Sequence, residues 1–449
     1  MSISECETKI GLEVYGTKAS GIGGKIKLLP EDFIVKETLT NGSLASDGVQ
    51  FNSSGQGEHL VCILKKKGWD TLLATREIAK GLDVGWRKIR FAGIKDKNAL
   101  TYQFISVWNL SAAEIRRLKI KDIEVAPVAY SRRPINSSEL LGNSFHIIIR
   151  HITGEEHELS NRIKLIHDEL NALGGAPNFF GHQRFGITRP VTHLVGFHLA
   201  MGEFDEAVKT YLAYNKLEKF THVARKILSE TWDYEQAFRN FPKSLVFEHR
   251  ILRHLSTHGE DFIGAIRALP ERLEKLFVQA YQSYIFNRIL SRRIMLGIPI
   301  NEAQIGDYVV KTNENGLPSN EAIITDASNI ARINSELKNK RMYVAIPLIG
   351  FDTILSGGAQ GEIERKVLEE ENISSKNFLI KEMPELSQAG GFRSAVAPFR
   401  NFERPKLFRD SEDNTFYALL LDFDLPKAAY ATVVLREFMK SMDPISAGF

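Results

Sequence analysis

A carboxylate set between two ammonium groups is the first place in this chain where residue types and spacing suggest chemistry. Asp96 stands between Lys95 and Lys97 in the string Phe91-Ala92-Gly93-Ile94-Lys95-Asp96-Lys97-Asn98-Ala99-Leu100-Thr101-Tyr102-Gln103. A nearby ammonium favours the charged carboxylate, which suits an acid that must act ionised at neutral pH. Taken alone, an Asp in a turn is ordinary turn chemistry. A second segment, Pro177-Asn178-Phe179-Phe180-Gly181-His182-Gln183-Arg184-Phe185-Gly186, sets an amide that can donate and accept two residues before an aromatic ring. A third, Leu425-Pro426-Lys427-Ala428-Ala429-Tyr430-Ala431-Thr432 running on to Leu435-Arg436-Glu437, adds a phenol and a guanidinium. Other signals fail. Gly21-Ile22-Gly23-Gly24-Lys25 lacks the first Gly of a phosphate loop and has Ile26 where Ser or Thr would bind magnesium. His254 and His258 have the i, i+4 spacing of zinc ligands, but no Glu follows His254 and no third ligand is evident. No G-x-S-x-G occurs.

Basic residues cluster beside aromatics. Arg87, Lys88, Arg90, Lys95 and Lys97 lie in one stretch with Trp86 and Phe91, and Lys65-Lys66-Lys67 precedes Trp69. Further groups are Arg116, Arg117, Lys119 and Lys121; Arg132-Arg133; Arg288, Arg292 and Arg293; and Arg400, Arg404, Lys406 and Arg409 near Phe399, Phe402 and Phe408. Cations neutralise phosphates while aromatic faces stack on unpaired bases, so together the clusters suit a folded RNA. Any one of them is also what a solvated surface looks like.

The elements that must position these residues follow from periodicity. Lys25 to Thr38 and His59 to Lys65 read as β-rich runs, and Asp70 opens a helix ending near Gly81. Arg87 to Phe91 and Tyr102 to Val107 predict two strands joined by the Asp96 connection. Ser111 and Glu114 have capping-box spacing. Val125 to Tyr130 and Phe145 to Arg150 are strand candidates, and Glu156 to Leu173 is a long helix. The pattern is helical from about Glu203 to Leu296, with strands again at Tyr308–Val310 and Met342–Ile346, then a strand from Tyr417 to Asp424 and a helix from Tyr430 to Met439. The class is therefore α+β at both ends around a helix-rich middle, the pattern an inserted domain would give.

Composition agrees. The 449 residues suggest two or three domains, with 43% hydrophobic and 25% charged residues and a net charge of +3. Only Cys6 and Cys62 occur, which excludes a disulfide scaffold or Cys-based zinc site. No apolar run reaches the ~18–20 residues of a membrane span. The first twenty residues lack the apolar core of a secretory signal, and the cytoplasm is the expected compartment.

The three long strings resemble the TruD family of tRNA pseudouridine synthases. So do Pro30-Glu31-Asp32-Phe33-Ile34-Val35-Lys36-Glu37, Gly68-Trp69-Asp70-Thr71, Gly142-Asn143-Ser144-Phe145 and Tyr281-Gln282-Ser283-Tyr284-Ile285-Phe286-Asn287. The resemblance implies a pseudouridine synthase catalytic domain with a mixed, mainly antiparallel sheet, formed by residues 1–204 and 389–449. An inserted helix-rich TRUD domain, residues 205–388, would help form the RNA cleft. It implies isomerisation of uridine, at position 13 of tRNA, with tRNA as partner and no cofactor or metal. Asp96 matches the catalytic aspartate, attacking as a carboxylate nucleophile after the base is flipped out of the stack. Lys95 matches an active-site residue that would hold Asp96 or a phosphate. Phe180 matches an aromatic against the target base, Asn178 its neighbouring amide, and Phe33 and Tyr430 the pocket lining. Arg184 is expected to anchor its loop to a carboxylate or to RNA, and Arg436 is a candidate ion-pair partner for Asp96. Ala428 stands where the family usually carries Gly, which matters if the position needs positive φ. The alternative is a non-catalytic RNA-binding protein or tRNA-folding chaperone using the same cleft.

Overall fold

The architecture comes from a computed structural model that describes residues 2–214 and 221–449; positions 1 and 215–220 of the expected domain ranges lie outside these. Six strands arise from the first 152 residues: β1 (Phe33–Leu39), β2 (His59–Lys67), β3 (Ile89–Phe91), β4 (Leu100–Trp108), β5 (Ile123–Ser131) and β6 (Leu140–Ile152). After the short β7 (Gly175–Pro177) come β8 (Tyr308–Thr312), β9 (Pro318–Ile324), β10 (Met342–Leu348), β11 (Gly391–Ser394) and β12 (Val396–Pro398). The last two are β13 (Lys406–Arg409) and β14 (Tyr417–Pro426). The large sheet runs β13-β14-β6-β1-β4-β2-β5, with β3 also on β4. Only β1 and β4 pair in parallel; the other pairings in this sheet are antiparallel. The α+β class and the mixed, mainly antiparallel sheet are thus as the sequence predicts.

One irregularity of this sheet creates room for the site. β1 pairs with β4 only at Leu100–Tyr102, and β3 pairs with the same strand further along, at Ile105–Val107. The connection 92–99 therefore leaves the sheet edge between two neighbours and lies over the start of β1. Alternation along β1 buries Phe33, Val35, Glu37 and Leu39. The helix Glu156–Leu173, with the bounds predicted, packs Leu159, Ile163, Ile166 and Leu170 against Phe145, Ile147 and Ile149 of β6. The C-terminal helix Ala431–Met439 joins the same core through Val434, Leu435 and Phe438.

The second core is built on the 25-residue helix Glu271–Met295. The helix Thr192–Met201 crosses it at Gly196, where a Cβ would lie 2.0 Å from the Phe277 carbonyl oxygen. The four-stranded sheet β11-β10-β8-β9 contributes Val309, Val344 and Ile346 to this core. β9 and the helices Ile330–Lys338 and Gly358–Glu370 are not foreseen by the periodicity. β11 belongs to this second sheet, while β12, one residue later, pairs with β7. That crossing carries the chain from one sheet to the other beside Asn178, whose amide N–H donates to the Ala395 carbonyl at 2.8 Å.

Candidate active site

The Asp96 connection is held from beneath by buried polar groups. Lys66, fully buried near the end of β2, donates its ammonium to the carbonyls of Trp69 at 2.7 Å, Asp96 at 2.8 Å and Lys95 at 3.4 Å. Thr71 opens the helix Thr71–Gly81, which Asp70 caps through the amides of Leu72 and Leu73. The Thr71 hydroxyl accepts from the Lys95 amide at 3.0 Å and donates to Gln103 Oε1 at 3.2 Å. Gln103 in turn donates to the Gly93 carbonyl at 3.1 Å. Lys95 extends inward, its Nζ 2.5 Å from Oε1 of Glu37, whose other oxygen accepts from the Phe104 amide at 2.8 Å. This corrects the expected pairing: the Lys95 ammonium binds Glu37 and not Asp96, because the alternation of β1 buries Glu37 and a buried carboxylate demands a partner.

The ammonium beside Asp96 belongs to Lys27, whose Nζ is 3.2 Å from Oδ2. Lys27 sits at φ +59° and lies over the Phe33 ring, 4.7 Å from its centroid. Nothing in the sequence singles it out, since its left-handed backbone and its partner 69 positions away are tertiary facts. Asp96, with 38% of its side chain exposed, borders an open cavity of about 240 Å³. Phe33, Lys95, Asp96 and Tyr430 line it together with Ile94, Asn143, Gln183 and Thr432. The three sequence strings therefore converge on one depression, with a carboxylate at an aromatic wall.

Phe180 stands behind that wall, edge-on to Tyr430 at 6.2 Å and to Phe286 at 5.5 Å. Its main chain is fixed on both sides by Asn287, which accepts from the Phe180 amide at 2.8 Å and donates to its carbonyl at 3.0 Å. Gly181 permits the contact with the C-terminal helix: a Cβ there would fall 3.0 Å from Thr432 Oγ1 and 3.2 Å from the Tyr430 ring. The Asn178 amide is committed inside the protein, donating to Ser394 and accepting from Arg393 Nη2 at 2.6 Å. Arg393, which no sequence motif marks, also lies 4.1 Å from the Phe180 centroid and donates to the Ala428 carbonyl. Arg184 has no carboxylate partner among the described residues; it donates to Ser283 Oγ at 3.1 Å.

With this geometry in view, the comparisons are decisive. A family model described as tRNA pseudouridine synthase D (TruD) matches residues 9–438. A Methanosarcina mazei protein named "Probable tRNA pseudouridine synthase D" is 39% identical over 446 residues, 98% of each chain. One of the same name from Thermococcus sibiricus is 36% identical over 431 residues, 95% of this chain and 97% of that one. A crystal structure of the Methanosarcina mazei TruD protein superposes with a TM-score of 0.83 at 38% identity, covering 98% of this chain and 99% of that one. The chain belongs to the TruD family of tRNA pseudouridine synthases.

Two further expectations change within this TruD chain. Arg436 is not the partner of Asp96. Its Nε binds Glu7 at 2.6 Å and its Nη1 donates to the Val14 carbonyl, while Glu437 accepts from the amides of Gly16 and Thr17. The pair fastens the N-terminal segment onto the C-terminal helix. Nor are all the basic clusters available to a polyanion. Lys65 and Lys67 face Asp47, Glu124 and Glu31, and Lys66 is internal. Arg288 and Arg292 share Glu13 and Glu370, and Arg293 is buried on Asp307. The cations at 87–97, 116–121 and 132–133, Lys95 apart, make no ion pair among the described residues.

Proposed function

We propose that this chain isomerises uridine 13 of tRNA to pseudouridine, with Asp96 as the nucleophile. The observation that carries the reading is the half-exposed Asp96 carboxylate, held by Lys27 at the edge of a cavity walled by Phe33 and Tyr430. A uracil lies out of reach in a stacked helix, so the target nucleotide must flip into this depression, where aromatic faces replace its neighbours. Asp96 attacks either C6 of the base or C1′ of the sugar. The N1–C1′ bond breaks, the base turns, C5 bonds to C1′, the bond to the Asp96 carboxylate is released, and the proton lost from C5 to solvent is matched by one taken up at N1. Atoms and electrons balance without a redox partner or group donor. The braced loop supplies positioning, since a nucleophile held in place converts binding into a near-unimolecular step. Residues 1–204 with 389–449 form the catalytic domain in this reading. Residues 205–388 form part of the RNA cleft.

Pseudouridine mapping on unmodified tRNA transcripts tests the proposal, with wild type and Asp96→Asn side by side. The expected result is product at position 13 with wild type and none with the variant, whose tRNA affinity stays within a few-fold. Product from the variant would remove Asp96 from its role. Binding without product from either protein would favour the chaperone reading.

A further inference from the structure

The fully buried arginines of this protein hold carboxylates, and two half-buried arginines near the site do not. Arg150, Arg225, Arg293 and Arg436 each hold a carboxylate at 2.6–2.8 Å. That is what low-dielectric surroundings require, because an unpaired charge withdrawn from water is costly. Arg184, on the loop that carries Phe180, and Arg393, on β11, both approach the Phe180 ring, with guanidinium carbons 5.7 Å and 4.1 Å from its centroid. Neither has a carboxylate within 4 Å among the described residues. Their protein partners are neutral: Ser283 Oγ and Gln279 Oε1 for Arg184, and Asn178 and the Ala428 carbonyl for Arg393. In each, Nε and Nη2 make these bonds, and Nη1 is a donor without an acceptor among the described residues. Burial pushes Arg393 down to about 10, and the charge of Arg184 adds to the effect. Burial also lowers Arg184. Two partly desolvated cations share one aromatic ring and lack an anion.

We infer that Arg184 and Arg393 form a subsite for a backbone phosphodiester of the bound RNA, next to the nucleotide that enters the Asp96 cavity. The inference rests on the reading of the chain as a tRNA-modifying enzyme. With Nε and Nη2 taken by the protein, each guanidinium keeps Nη1 to donate to a phosphate oxygen, and such charge-assisted hydrogen bonds are short and strong. The neutral bonds through Nε and Nη2 orient each group in advance, so little freedom remains to be lost when RNA arrives. Arg393 comes from β11 and Arg184 from the loop after β7. A phosphate held by both would join β11 to the loop after β7 in the RNA-bound state.

The test removes the charge from the RNA instead of relying on the protein alone. In an Asp96→Asn background, which keeps the RNA unreacted, tRNA affinity is measured with single neutral methylphosphonate linkages placed from two positions 5′ to two positions 3′ of the isomerised uridine. One linkage should weaken binding about tenfold, and adding Arg393→Gln should shrink that penalty below twofold, because no guanidinium remains to miss the charge. The same cycle with Arg184→Gln decides the matter if Arg393→Gln does not fold. Equal penalties with and without the arginine, or no linkage that matters, would overturn the subsite. Failure of the enzymatic reading shows differently, as wild type that makes no pseudouridine.

Discussion

At position 428 the backbone stands at φ +66° on an exposed turn, and the residue there is alanine. The left-handed region costs an L-residue roughly 1–2 kcal/mol, whereas glycine enters it freely and loses part of that advantage to its looser unfolded chain. Ala428→Gly should therefore stabilise the protein by about 0.5–1 kcal/mol, read as a rise in denaturation midpoint at unchanged slope. A lower midpoint would mean that the Ala428 methyl makes a contact worth more than the strain. The resemblance leads one to expect Gly at this position, and the positive φ is the condition under which that expectation matters. Lys27 shows the opposite case. Its charge is in plain view, but its left-handed backbone and its Asp96 partner exist only in the folded chain.

At the scale of elements, the site depends on β2 as much as on the loop it supports. Lys66 fills the space beneath residues 95–96 with a donor to three carbonyls, so Lys66→Met takes that donor from the Trp69 and Asp96 carbonyls and leaves Lys95 with the Thr71 hydroxyl alone. The expected result is a kcat reduced by about ten- to a hundredfold with tRNA affinity nearly unchanged, since the lysine positions the nucleophile and touches no RNA. Burial lowers Lys66 to about 8 against the attraction of Asp96 and Asp70, and Lys95 lowers it further. Above that pH the amine keeps two donors for three carbonyls, and kcat should fall. The folded value lies below the unfolded one, so between pH 8 and 10.5 the unfolded chain binds more protons and this group makes stability rise with pH. A fall in kcat over that window with no loss of melting temperature is thus the signature of the brace; a Lys66→Met profile with the same alkaline limb would refute it. The same hydrogen bonds show what is legible in sequence. Strands, the Asp70 cap and the Ser111–Glu114 capping box follow local rules and can be read directly. The motif residues can be found but not assigned: Thr71 and Gln103 serve the Asp96 loop, and Asn287 serves Phe180, across 10 to 107 positions of chain. β9, β11 and Arg393 escape notice because short strands and cross-sheet contacts leave no periodic trace.

Over the whole molecule, charge is divided between two uses that composition does not separate. The 288–293 cluster is paired within the protein: Arg288 binds Glu13, Glu370 and Glu371, and the buried Arg293 binds Asp307, fastening the long helix to the N-terminal segment and to the approach to β8. The cations of β3 and its approach, Arg87 and Arg90, are exposed and lead directly into the Asp96 loop. Among the described residues, only the second kind is left without a protein carboxylate and so free for a polyanion. Arg87→Gln with Arg90→Gln should weaken tRNA binding and reduce the slope of log affinity against log salt by about one for each phosphate no longer neutralised, with melting unchanged. Arg293→Gln should leave that slope alone and cost about 3–5 kcal/mol of stability, because it strands a buried Asp307 without its partner. Salt titrations and melting curves on the two variants place each on its own axis. If the 87/90 variant melted early or the 293 variant changed the salt slope, the division would be wrong, and the net charge of +3 would have to be spread over the RNA face and the interior in some other way.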